Sequence, residues 1–231
     1  FEDRQLSNDC KAAEKKLVKA ASKVYKKFLA SCPAPDAPGS KQVAALMTIT
    51  GLIDAPKADK EFLSINGAQG FSTFYGYYML EAMATAGNYQ GALDVIREYW
   101  GAMIDLGATS FWEDFDINWI PNATPIDELV PEGKKDIHGD CGAYCYVGFR
   151  HSLCHGWASG PTSWLSRHIL GVEVIEPGCR QVRITPHLGD LQWVKGTFPT
   201  PYGEIQIYHE KQANGNVISE VKAPKGVSVI K

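Results

Sequence analysis

The chain lacks a long apolar segment, a surplus of positive charge and a dense cysteine framework. Its longest strongly apolar run is far shorter than a membrane span. Lysine and arginine number 23 against 26 acidic residues, so the basic balance of a duplex-binding protein is missing. Six cysteines in 231 residues are an ordinary number. The composition therefore predicts a globular chain without a membrane, nucleic-acid or disulfide-framework role.

The cysteines also lack the spacing of a structural zinc site. Cys141 and Cys145 form a C-x3-C pair near Cys154-His155, and His138 or His151 could assist. Structural zinc sites usually pair their ligands as two close knuckles, which this sequence does not have. We expect buried free thiols, with zinc as the alternative, and neither a metal nor another cofactor. The cysteines are Cys10, Cys32, Cys141, Cys145, Cys154 and Cys179.

A leader is the next absent feature. The chain begins at Phe1 without an initiator methionine, a positively charged n-region or an apolar h-region. We expect the remainder of the same polypeptide upstream to be a partner. The cellular location stays open between periplasmic, secreted and cytoplasmic.

The first half of the sequence has helical periodicity. Residues from Leu17 to Leu29 predict an amphipathic helix that packs on its apolar side and turns a lysine face outwards. A breaker-rich loop at 32–40 precedes a short helix near Gln42–Leu52. Phe71–Ala86 predicts a helix that is apolar nearly all round, and Gln90–Met103 predicts a one-sided helix. Buried helices that alternate with half-exposed ones are typical of a helical toroid, although other all-α stacks share the pattern.

After Gly171 the apolar period changes to two. Val182/Ile184, Leu191/Trp193, Ile205/Ile207 and Val227/Val229 are alternating pairs, and Asn214-Gly215 predicts a hairpin turn. Val172–Lys231 is therefore predicted to be a small antiparallel β module that leans on the helices or completes a sandwich. The fold class is mainly α with a β module, divided into residues 1–171 and 172–231.

Two stretches carry residues suited to chemistry. Gly107–Asp116 interleaves Glu113, Asp114 and Asp116 with aromatic residues, which fits a sugar site but also the N-terminus of a helix. Phe149–Trp157 contains a Ser-His pair without a G-x-S-x-G elbow, so serine catalysis is not expected.

These stretches resemble known motifs. Gly107–Glu113 (GATSFWE) resembles the GATT-x-WE signature of family 78 α-L-rhamnosidases, and His155–Pro161 (HGWASGP) resembles their HGWS-x-GP segment. Pro177-Gly178, Ile184-Thr185-Pro186 and Gly196–Gly203 look like the start of the family's C-terminal β domain. The resemblance implies part of an (α/α)6 toroid, inverting hydrolysis without a cofactor, and a rhamnose-containing glycoside or polysaccharide as substrate.

The resemblance also assigns roles to residues. Glu113 matches the general base and His155 a sugar-contacting histidine, while Trp112 and Trp100 match aromatic residues near the pocket. Asp116 and Trp157 are further expected substrate contacts, and Phe74 and Tyr75 on a predicted inner helix either line the pocket or pack in the core. The insert Asn118–Arg150 separates the two motifs.

The family's acidic, arginine-containing motif with the general acid is missing from this chain. The sequence therefore predicts a rhamnosidase fragment that is inactive by itself. Two alternatives stay open: a toroid glycosidase for another sugar, and a non-catalytic carbohydrate-binding or structural module. An acidic motif upstream of Phe1 would favour the enzyme.

Overall fold

A computed structural model of the chain describes residues 3–30, 37–138 and 151–230. Its α-helices are α1 (Arg4–Ala30), α2 (Ser40–Ile49), α3 (Ala55–Ala58), α4 (Gly76–Thr85), α5 (Tyr89–Val95), α6 (Gly101–Asp105) and α7 (Gly160–Trp164). Wider π-helical turns continue α3 (Asp59–Leu63), α5 (Ile96–Trp100) and α7 (Leu165–Ile169), and 3-10 turns occupy Ile117–Trp119, Gly156–Ala158 and Pro177–Cys179. The strands are β1 (Ala123–Thr124), β2 (Lys135–Asp136), β3 (Val172–Val174), β4 (Gln181–Ile184), β5 (Trp193–Thr200), β6 (Gly203–Lys211), β7 (Val217–Lys222) and β8 (Ser228–Ile230).

The N-terminal helix forms as predicted, but the expected packing of its apolar side is wrong for the side chains that the structure describes. Leu6, Leu17 and Val24 are 59%, 69% and 66% exposed. The 27 residues of α1 include many lysines and few large apolar side chains, so their periodicity alone does not supply a partner surface.

The next helices build the main core. Leu80 and Met83 of α4, Tyr99 and Trp164 are almost completely buried in one cluster. Trp164 also donates its indole N–H to the Leu80 carbonyl at 3.0 Å, which joins α7 to α4. The predicted turn before α5 is confirmed, because Gly87 has φ 80° and the Asn88 side chain accepts from the Gly91 N–H at 2.9 Å.

The predicted helix over Phe71–Ala86 begins later than expected, at Gly76. Phe74 and Tyr75 lie in the preceding turn, where they are 42% and 39% exposed. The expectation that they sit on an inner helix is therefore wrong. Aromatic residues occur in exposed turns as well as in buried helices. Apolar composition alone therefore placed the start of the helix too early.

The C-terminal module contains two three-stranded sheets. One has the order β5-β6-β7 and is antiparallel throughout, so the hairpin predicted at Asn214-Gly215 is confirmed between β6 and β7. The other has the order β3-β4-β8, and its β4–β8 pair is parallel, which corrects the expectation of a wholly antiparallel module. Val182 and Ile184 of β4 share one buried cluster with Ile205 and Ile207 of β6, so the sheets face each other as a sandwich.

This sandwich is joined to the helices at several points. Arg97 makes a bidentate ion pair with Asp190 at 2.7 and 3.0 Å, and His187 stacks on Tyr89 with ring centroids 3.7 Å apart. The His209 ring lies 3.1 Å from the Leu170 carbonyl. The module therefore leans on the helical part, as predicted. Within residues 3–30, 37–138 and 151–230, no helix combines the length and apolarity that crossing a membrane requires.

Candidate active site

The two motif segments lie side by side in the structure. The Glu113 N–H donates to the Ser152 carbonyl at 2.8 Å, and the Ser152 N–H donates to Oε2 of Glu113 at 3.0 Å. Further along, the His155 N–H donates to the Phe111 carbonyl at 2.7 Å. These hydrogen bonds join the 107–116 segment to the 151–157 segment, although a long insert separates the two in the sequence.

Glu113 is held firmly by its main chain and loosely by its side chain. Its carbonyl accepts from the Thr73 hydroxyl at 2.6 Å and from the Trp157 indole N–H at 2.5 Å. Its carboxylate is half-buried, and only Oε2 accepts a hydrogen bond from the described part of the chain, namely that of Ser152. The other oxygen, Oε1, accepts no hydrogen bond from residues 3–30, 37–138 and 151–230.

Exposed aromatic rings lie beside Trp157, whose indole N–H contacts the Glu113 carbonyl. Trp157 is 45% exposed, and its ring centroid lies 4.2 Å from that of His155 and 5.8 Å from that of Phe74. Phe74 in turn contacts Tyr75 at 5.1 Å. Exposed flat rings beside a carboxylate form a surface suited to the apolar face of a sugar.

Trp112 and Trp100 lie in the core rather than on this surface. Trp112 is fully buried against Phe115 and His151. Trp100 is 6% exposed and donates its indole N–H to the Ala158 carbonyl at 2.9 Å. Both rings support the loops that carry the exposed residues.

The other acidic side chains of the motif have hydrogen-bond partners of their own. Burial raises the pKa of Asp114, although the Phe115 N–H at 2.9 Å works in the opposite direction. Asp116 accepts from the N–H and the side-chain amide of Asn118, both at 2.8 Å, and faces a separate cavity of about 250 Å³.

Lys41, which lines that cavity, and Asp136, which does not, have shifted pKa values. Lys41 lines the cavity of Asp116, and burial lowers its pKa to about 8 against the opposing charge of Glu98. Burial acts to raise the pKa of Asp136, but hydrogen bonds from the His138 N–H and ring outweigh it and lower that pKa. A lowered pKa does not suit Asp136 to act as a general acid.

His151, which the sequence analysis named as a possible zinc ligand, is a structural histidine. It is 4% exposed, its Nε2 accepts from the Asp114 N–H at 3.0 Å, and its Nδ1 lies 2.9 Å from the Ile137 carbonyl. Both contacts together define the neutral Nδ1–H form. Thr73 and Ser152, which hold Glu113, were missed, because a hydroxyl–carbonyl contact 40 residues apart leaves no sequence signal.

The zinc alternative finds no support among the described residues. Both ring nitrogens of His151 are engaged, and no group of three potential ligands occurs within residues 3–30, 37–138 and 151–230. Cys10, Cys154 and Cys179 are free thiols, but their expected burial is wrong, because Cys10 and Cys154 are exposed and Cys179 is half-buried. Cys32, Cys141 and Cys145 lie outside the described residues.

Comparisons with known proteins show which families and structures the chain resembles. Residues 171–230 match the family model of the bacterial alpha-L-rhamnosidase C-terminal domain. No curated protein sequence matches the chain. The structure resembles a crystal structure of a family 78 rhamnosidase of Bacillus sp. GL1, with 26% identity and a TM-score of 0.61 over 82% of this chain and 18% of that one.

Two further solved structures share the fold. The native α-L-rhamnosidase of Aspergillus terreus is 20% identical, with a TM-score of 0.63 over 82% of this chain and 21% of that chain. The α-L-rhamnosidase of Streptomyces avermitilis, solved with L-rhamnose, is 17% identical, with a TM-score of 0.61 over 82% and 17% of the two chains. The resemblance to rhamnosidases is thus confirmed, and this chain spans about a fifth of the length of those structures.

Proposed function

We propose that Glu113 is the general base of a glycoside hydrolase that releases terminal α-L-rhamnose with inversion. The observation that carries the proposal is the half-buried Glu113, whose Oε1 accepts no hydrogen bond from the described residues and whose carbonyl accepts from the indole N–H of the exposed Trp157. The likeness to rhamnosidases over 82% of the chain supports the choice of sugar.

The chemistry follows from two carboxyl groups on opposite faces of the sugar. Glu113 takes a proton from water, the water oxygen bonds to the anomeric carbon, and the glycosidic C–O bond breaks. The leaving oxygen receives its proton from a carboxylic acid roughly 6.5–9.5 Å from the base. We assign that acid to the upstream remainder of the polypeptide.

The surrounding residues divide into sugar contacts and supports. We assign His155 and Trp157 to contact the sugar, because both are partly exposed next to Glu113. Trp100 and Trp112 are assigned to hold the loops, since both are buried. Asp116 faces another cavity, so it would reach only a more distant part of the substrate.

The helical part is proposed to be one section of an (α/α)6 toroid. Residues 1–171 would supply that section and residues 172–231 the β domain. The alternation of buried α4 with the more exposed α5 supports this arrangement.

The test is Glu113→Gln in the full polypeptide, which keeps the shape of the side chain and removes the proton acceptor. General-base assistance is typically worth about 10²–10⁴-fold, so kcat should fall by about that factor with little change in KM. Azide should restore turnover and yield the β-configured glycosyl azide.

Asp116→Asn is the matched control, and it should cost less because its partner is Asn118. Near-normal turnover of Glu113→Gln would place the base elsewhere.

A further inference from the structure

The outer face of the β5-β6-β7 sheet has an unusual composition for a solvent-facing surface. Antiparallel pairing places its side chains in three rows across the strands: Trp193–Glu210–Ile218, Lys195–Tyr208–Glu220 and Thr197–Gln206–Lys222. The opposite face is apolar and includes the buried Ile205 and Ile207. We call these nine side chains the outer grid.

The outer grid is open and concave. Trp193 is 61% exposed, although an indole of this size is usually buried. It borders a groove of about 850 Å³ that is also lined by Lys195, Gln206, Tyr208 and Glu220. A large exposed ring beside amide, carboxylate and ammonium groups can contact both the apolar and the polar faces of a ligand.

The charges on the outer grid narrow the class of ligand. Lys195 and Lys222 are balanced by Glu210 and Glu220, so the grid carries no net charge at neutral pH. A nucleic acid would meet two carboxylates, and an acidic peptide would meet the same repulsion. A neutral, hydroxylated ligand meets donors and acceptors in equal supply, and its apolar faces can stack on Trp193.

We propose that the outer grid is a second carbohydrate-binding site, which takes a neutral polysaccharide chain. Neighbouring strands lie about 4.8 Å apart and alternate residues of one strand about 6.8 Å apart, so the outer grid measures roughly 10 by 14 Å and offers a surface for a short run of sugar units. The site is on the β module and uses none of the residues around Glu113. Its role, which rests on the proposed function, would be to hold a long polysaccharide while the Glu113 site cleaves another part of the same polysaccharide.

The proposal is tested by affinity electrophoresis of the full polypeptide through gels that contain soluble polysaccharides. We expect a neutral rhamnan to retard the wild type. Trp193→Ala should weaken this binding at least about tenfold, because tryptophans are enriched among the residues that dominate a binding surface. Tyr208→Ala should weaken it as well.

Three controls decide between explanations. Tyr202→Ala removes a 43% exposed aromatic residue from the same module and should leave retardation unchanged. Trp157→Ala removes a proposed sugar contact at the Glu113 site, so it should cost less retardation than Trp193→Ala, and the two losses should be independent of each other. Since Glu113→Gln abolishes only the proposed chemistry, binding that survives in this variant separates the outer grid from the proposed function.

Three results would overturn the proposal. The first is a wild type that no neutral polysaccharide retards, and the second is retardation that Trp193→Ala does not change. The third is retardation that occurs only with acidic polysaccharides and disappears at high salt, since it would show ionic adsorption to the two lysines.

Discussion

At the scale of single residues, the site depends on side chains that fix the main chain around Glu113. His151 accepts from the Asp114 N–H, while Ser152 exchanges hydrogen bonds with Glu113 itself. Glu113, His155 and Trp157 could be predicted because they stand in short motifs. The supporting contacts could not, because a buried ring nitrogen that accepts from an N–H 37 residues away depends on the fold and not on spacing.

We predict that His151→Phe destabilises the chain by about 2–6 kcal/mol. The change keeps an aromatic ring but leaves two buried groups, the Asp114 N–H and the Ile137 carbonyl, without their partner, at about 1–3 kcal/mol each. The measurement is the midpoint and slope of denaturant unfolding.

His155→Phe is the matched control for that substitution. The described structure gives the His155 ring only an aromatic contact with Trp157, which phenylalanine can keep. Its stability should stay within about 0.5 kcal/mol of the wild type, as at other partly exposed positions. Equal losses in the two variants would contradict a supporting role that is specific to His151.

At the scale of elements, periodicity predicted the helices and strands better than their ends or partners. The hairpin at Asn214-Gly215 follows from local turn chemistry and is confirmed. The parallel pairing of β8 with β4 sets Ser228 beside Gln181, which is far away in the sequence, so only the closed sandwich determines it. In the same way, the start of α4 is set by where Phe71–Tyr75 can turn, which composition does not encode.

The junction between α7 and β3 gives a prediction at this scale. Gly171 has φ 73°, and a Cβ added to it would lie 2.3 Å from the Thr185 carbonyl carbon and oxygen. Gly171→Ala therefore forces main chain apart where the β module joins the helices. We expect a loss of several kcal/mol, well above the roughly 1–2 kcal/mol of a left-handed residue alone, measured by thermal or denaturant unfolding.

Gly178→Ala provides the comparison, because Gly178 has nearly the same φ of 74° with nothing within 4 Å of an added Cβ. It should show only the conformational cost. If Gly171→Ala unfolds no more easily than Gly178→Ala, the close approach of Thr185 is not a packing constraint.

At the scale of the whole molecule, the proposed chemistry needs more chain than is present here. The chain spans about a fifth of the solved rhamnosidases that it resembles. Asp136 lies outside the motif, and its hydrogen bonds with His138 lower its pKa against the effect of burial. We therefore propose that the second carboxyl group, with the proton that inversion requires, lies outside this chain.

We predict that the 231-residue chain alone gives no enzymatic turnover of an aryl α-L-rhamnoside, whereas the full polypeptide does. The assay is release of the aryl alcohol, with circular dichroism to show that the chain is folded. Turnover by the chain alone in a normal enzymatic range would mean that it holds both carboxyl groups, with Asp114 and Asp116 as the first candidates for the acid.

The attachment of the β module predicts a dependence of stability on pH. Burial and the neighbouring His168 lower the pKa of His187, which stacks on Tyr89 of α5. Burial also lowers the pKa of His209, against the opposing effect of the Leu170 carbonyl. Because both folded pKa values lie below the unfolded value of about 6.5, the unfolded chain binds more protons as the solution becomes acidic. Stability is therefore retained above about pH 6.5 and decreases as the pH falls below it.

The measurement is the free energy of unfolding between pH 8 and pH 5, in the wild type and in His187→Phe/His209→Gln. The phenylalanine keeps the stack on Tyr89, and the glutamine can still bond to Ser219 and Leu170, whose contacts His209 makes at 2.7 and 3.1 Å. We expect a flatter pH profile in the double variant, even if its stability at pH 8 is lower. Asp114, whose raised pKa acts in the opposite direction, is common to both proteins, so the difference between the profiles reports the two histidines. Parallel profiles would show that their protonation does not control how the β module is held.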